Sequence, residues 1–160
     1  MKPQTASNHT AAQGLIKPAY VILLALMTLS GMAQMPIFKR YYIADIPGFG
    51  WLAQFYVTHI LHYAGATLLL FLFFYCIGVY FGRLRRRFNL TGSAYVRIAL
   101  LTAIAVTGIF RVLKNLPDVV FSPGFTMLID ISHLAFMLTL MVCGTVFVIL
   151  KRRWLAEKSL

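Results

Sequence analysis

Three histidines stand inside stretches that otherwise read as hydrocarbon: His59 and His62 in "FYVTHILHYAGATLLLFLFF", and His133 in "LIDISHLAFMLTLMV". An ionisable ring in a bilayer is costly unless something pairs with it or uses it. Two imidazoles on facing helices make the donor set of a bis-histidine haem, the leading reading for His62 and His133. Zinc normally takes four ligands, and Asp130 is the only other donor that accompanies the set. Proton relays in membranes pair histidine with carboxylates, and the chain has only four acidic residues.

The surroundings suit a porphyrin. Gly65 lies one turn beyond His62, and "HYAGA" leaves that face nearly bare of side chains; Gly108 offers similar clearance. Arg111 and Lys114, with Lys39 and Arg40, are cationic partners for haem propionates. His59 is a further candidate at the cofactor, but no glycine clears its face, and hydrogen bonding between helices is its plainer role. Asp130 either orients His133 or pairs with Arg111. Gly31, Gly65 and Gly108 also suit close helix approach. For a quinone, His59, Tyr63 and Asp130 are the candidate proton handlers. Cys76 and Cys143 lie in apolar stretches and read as small apolar filler. No CxxC or CxxCH motif offers a cluster site or covalent haem.

The elements that position these side chains follow from composition. The chain has 160 residues, 60% of them hydrophobic and 12% charged. A soluble domain could not hide that much apolar surface, and runs near 20 residues are the length a helix needs to cross a bilayer. Four spans are expected, at about 19–36, 51–80, 95–113 and 125–150, with prolines 36, 47, 117 and 123 at or between their ends. The reading is an all-α integral membrane four-helix bundle: a flexible tail over 1–16, the membrane domain over 17–153 and a short C-terminal tail over 154–160. The first span, "AYVILLALMTLSGMA", also carries the pattern of a signal-peptide core before Gln34; the long polar lead and the four-span count favour a retained helix.

The formal charge of +11 does not point to nucleic acid, because the basic residues cluster at span ends. Arg83, Arg85, Arg86, Arg87 and Arg97 follow the second span, Lys151, Arg152, Arg153 and Lys158 the fourth, and Lys2 and Lys17 precede the first. Lys39, Arg40, Arg111 and Lys114 lie on the other side. The positive-inside rule then places both termini in the cytoplasm, with Tyr41, Tyr42 and Trp51 at the outer interface and Trp154 at the inner one. On these spans His62 enters about 16 Å along its helix and His133 about 12 Å, so both can reach one level of the membrane.

The motifs also resemble a known family. "LHYAGATLLLFLFFYCIGVYFGR" is similar to the second helix of the four-helix cytochrome b (gamma) subunits of respiratory formate dehydrogenases and nickel–iron hydrogenases, within the prokaryotic cytochrome b561-type group. "YVRIALLTAIAVTGIF" resembles the third helix with its Thr-Gly, and "LIDISHLAFMLTLMV" the fourth with its early ligand histidine. "LMTLSGMAQMP" resembles the end of the first, with Ser-Gly in place of Thr-Gly. The resemblance covers about 19–153. It implies one haem b held by His62 and His133, in a membrane anchor that passes electrons between an outer iron–sulfur or multihaem c-type subunit and quinone. Substrate catalysis would then reside in another subunit, and the setting would be a bacterial or archaeal inner membrane. The family's second haem needs a histidine at the start of helix one and another near Phe147. "LIKPAYVILL" and Phe147 supply neither, which implies a single-haem variant. A haem-free anchor or assembly subunit, and a stand-alone quinol-reactive cytochrome, are the other readings.

Overall fold

The computed structural model describes residues 5–158, with side chains from residue 14 onward. Residues 1–4 and 159–160 of the two expected tails lie outside the described residues. With no water in a bilayer to satisfy peptide groups, a spanning segment closes its hydrogen bonds within itself. Four helices meet that demand: α1 (Thr5–Ala33), α3 (Phe55–Gly82), α4 (Gly92–Leu113) and α5 (Pro123–Ile149). Each contains a stretch long and apolar enough to cross a membrane, beginning at Gly14 in α1. Bulky side chains such as Ile22, Phe71, Phe74 and Val148 are exposed along them, as lipid-facing positions must be. The chain is an integral membrane protein in contact with lipid.

Two compact units divide the chain, residues 1–79 and 80–160. In the first, α1 leads through the short helix α2 (Ile37–Arg40) and two 3-10 turns, Ile43–Asp45 and Gly50–Ala53, into α3. Helical backbone already covers 5–16, where the sequence suggests a tail. The turns pack on one another and on α1, and bury Leu52 almost completely. Contacts between α1 and α3 run antiparallel: Ser30 and Gly31 meet His62, while Leu26 and Met27 meet Gly65.

The second unit takes in the end of α3 and the arginine-rich turn after it. Thr91 caps α4 by accepting from the Ala94 amide at 3.2 Å, and Ser122 caps α5 by accepting from the Phe125 amide at 3.4 Å. Pro123 fills the first helical position, where its missing N–H costs nothing. The two helices lie close along their length, burying Ala94, Leu101, Ile129 and Leu140. Phe110, Phe121 and Phe125 pack edge to face where α4 hands over to α5.

The all-α expectation meets one exception. At the other end of this unit, β1 (Phe88–Leu90) pairs antiparallel with β2 (Leu155–Glu157), with Asn89 opposite Ala156. β2 thus takes up residues that the sequence assigns to a tail. The observed helix starts also move the histidines. His62 stands about 10 Å along α3 and His133 about 15 Å along α5, where the expected spans gave about 16 and 12 Å.

Candidate cofactor-binding site

Each unit contains one histidine joined to a hydroxyl of the neighbouring helix. In the first, Ser30 on α1 is fully buried, and its Oγ lies 3.0 Å from Nδ1 of His62 on α3. The hydroxyl has one proton, and it goes to the Leu26 carbonyl one turn back, at 2.7 Å. With that proton on the Leu26 carbonyl, Ser30 Oγ can accept from His62 Nδ1, the tautomer that leaves the lone pair on Nε2. Beside it, Gly31 seats the ring: a Cβ there would stand 3.1 Å from His62 Cε1, tighter than side chains ordinarily pack.

The second unit repeats the joint. Thr107 Oγ1 on α4 lies 2.9 Å from Nδ1 of His133 on α5, and donates its own proton to the Ala103 carbonyl at 2.8 Å. Thr107 Oγ1 can in the same way accept from His133 Nδ1. Gly108 faces its Cε1, 3.4 Å from where a Cβ would be. Ser30-Gly31 thus supplies a hydroxyl and a space in consecutive residues, while Thr107-Gly108 supplies the hydroxyl beside a glycine where a Cβ would make ordinary contact.

The remaining candidates fall as follows. Gly65 does not leave a bare face: a Cβ there would stand 2.9 Å from the Met27 sulfur of α1. Asp130 turns to the cations, with Lys114 Nζ at 2.7 Å and Arg111 Nε at 3.2 Å, and the acceptor at His133 Nδ1 is Thr107. That triad keeps one surplus positive charge. Lys39 and Arg40 are exposed at the end of α2. His59 stacks between Phe55 and Tyr63 on its own helix, with ring centroids 5.2 and 4.3 Å away. Its Nδ1 is buried with no hydrogen-bond partner among the described residues, so at that atom it does not join helices.

Arg97, counted by sequence among the loop cations, is 5% exposed. Its guanidinium lies 4.8 Å from the ring centres of both Phe147 and Trp154, and it donates to the Arg152 carbonyl at 3.3 Å. Phe147, near which the resemblance would look for a second haem ligand, is thus engaged in a cation–π stack.

Each of these two histidines, taken within its own unit, is of a residue type that could serve a haem iron. A metal-bound histidine commonly uses its second ring nitrogen as a donor to a fixed oxygen, which sets the tautomer and ring orientation. His62 and His133 both show that arrangement. No three of His, Cys, Asp and Glu converge among the described residues. The sequence points to the glycines of these dipeptides, and the hydroxyls beside them become partners only through the packing of one helix on the next.

Geometry and composition define a class here, an integral membrane protein of four long helices with a histidine–hydroxyl joint in each half. No family model, curated protein or solved structure matches the chain.

Proposed function

We propose that the chain is a b-type cytochrome of a membrane oxidoreductase complex, a four-helix bundle with both termini in the cytoplasm and one haem held by His62 and His133. The observation that supports it is the joint made twice, with Nδ1 of each imidazole within hydrogen-bond distance of a hydroxyl that is fully buried at Ser30 and half-buried at Thr107. Haem, when bound, supplies one-electron chemistry between a partner subunit and membrane quinone. The partner carries iron–sulfur clusters or c-type haems.

The chain's own part is positioning. Ser30 and Thr107 hold the two Nδ1 protons and make the imidazoles better donors at Nε2. Gly31 and Gly108 give the rings their seats. The surplus charge of the Arg111–Lys114–Asp130 triad offsets a propionate. The Arg97 stack on Phe147 supports a single-haem chain, because the alternative ligand position is filled and structurally engaged.

The same joints would knit helices in a haem-free anchor, each bond then contributing about 1 kcal/mol or less. The two readings separate on His62→Leu and His133→Leu. Each variant is expected to lose the haem while the chain still inserts, measured by absorbance of the membrane-extracted protein. Full retention of haem by both variants would overturn the assignment.

A further inference from the structure

Two basic runs of the second unit lie far apart in sequence and meet at its small sheet. Arg86 and Arg87 lead into β1; Lys151, Arg152 and Arg153 lead into β2, and Lys158 follows it. All six are exposed. The strands pair Asn89 with Ala156, and the Lys158 amide donates to the Arg87 carbonyl at 3.0 Å. Glu157 is the only acidic residue on either run. Like charges gathered this way repel one another unless an anion lies among them.

The backbone of the second run is held by α4. The Thr91 and Ser93 hydroxyls donate to the Arg153 carbonyl at 2.7 and 3.2 Å, and buried Arg97 donates to the Arg152 carbonyl at 3.3 Å. The peptide groups are thus engaged while the cationic side chains stay exposed. Lys151 is a second, independent observation. It stands just past α5 with φ 51°, in the left-handed region. Its amide donates to the Val148 carbonyl at 3.0 Å, and the Arg152 amide to the Phe147 carbonyl at 2.8 Å. That closing pattern commonly takes glycine, because a Cβ is strained there. A lysine in its place gives up stability for a charge, so the charge calls for a use.

The place of this platform narrows the ligand. It stands where the apolar stretch Gly92–Leu113 begins and the stretch Pro123–Ile149 ends, which puts it at headgroup level when they cross a bilayer. Trp154, a residue type enriched at that level, lies between Arg153 and β2. We propose that the platform binds the headgroup of an anionic phospholipid, with the lipid phosphate held between the β1 and β2 runs. None of its residues belongs to the histidine–hydroxyl joints, so it stands or falls independently of haem.

The test uses full-length protein in neutral detergent, wild type, Arg87→Gln with Lys158→Gln, and Lys151→Gly. The probes are dioctanoyl phosphatidylglycerol, dioctanoyl phosphatidylcholine, glycerol 3-phosphate and hexaglutamate, with binding read by thermophoresis. Wild type is expected to favour phosphatidylglycerol over phosphatidylcholine roughly tenfold, and each charge removed to weaken the former about fivefold. The preference should shrink between about 0.1 M and about 0.5 M salt as screening grows. Lys151→Gly should melt higher than wild type without lipid, yet bind phosphatidylglycerol more weakly. Equal affinity of wild type for the two lipids, or phosphatidylglycerol binding unchanged in both variants, would overturn the site. Glycerol 3-phosphate bound as tightly as the lipid would give the platform to a soluble anion, and tighter binding of hexaglutamate would give it to an acidic protein; either overturns the lipid assignment.

Discussion

The two units solve one problem with different degrees of support. Both fix a histidine by an accepting hydroxyl followed by a glycine. In the second unit the helices α4 and α5 run close along their whole length, capped at both starts by hydroxyls. The Arg97 stack and the β1–β2 pair brace one end, and the Asp130 triad ties α4 to α5 toward the other. In the first unit α1 and α3 meet mainly through side chains around Ser30, Gly31 and Gly65, and buried polar atoms stay unpaired one turn away. The second half is braced along its helices, and the first rests on fewer contacts between its long helices.

The largest expected effect falls on the brace. Arg97→Leu removes two aromatic stacking contacts and a bond to the Arg152 carbonyl, and should destabilise the second unit by about 2 kcal/mol or more. Thermal unfolding of the purified protein checks this, and an unchanged melting point would show that the brace carries nothing.

The glycines sharpen the comparison next. Gly31→Ala puts a Cβ 3.1 Å from His62, so the ring must shift and the Ser30 bond lengthen. Gly108→Ala meets His133 at 3.4 Å, an ordinary contact, and should be tolerated. The visible spectrum of each variant reads the difference; equal responses would mean that the two seats are equivalent.

The hydroxyls come last. Ser30→Ala and Thr107→Val should each cost about 1 kcal/mol in stability and weaken haem retention about tenfold, with the reduction potential moving up as the imidazoles lose donor strength. Redox titration checks the direction. A shift with Thr107→Val alone would assign the tuning to the braced half.

Much of this architecture was legible beforehand. The four spans fall within a few residues of their expected places, because apolar length and bounding prolines are local properties. The strands β1 and β2 were not legible: each is three residues long, and their pairing joins segments far apart in the chain. Arg97 looked like its neighbours in a basic run, and only tertiary packing shows that it is buried. Ser30 and Thr107 stood in view beside their glycines, but their meaning depends on helix register. That register brings a hydroxyl already bonded to its own backbone against an imidazole on the next helix.

The central claim is that His62 and His133 are a haem ligand pair, and the most direct measurement is the haem content of the purified complex by pyridine haemochrome, with its reduced-minus-oxidised spectrum. One b-type haem per copy of the chain is the result expected from the paired joints. A protein free of haem would contradict the account and reduce both histidines to ties between helices.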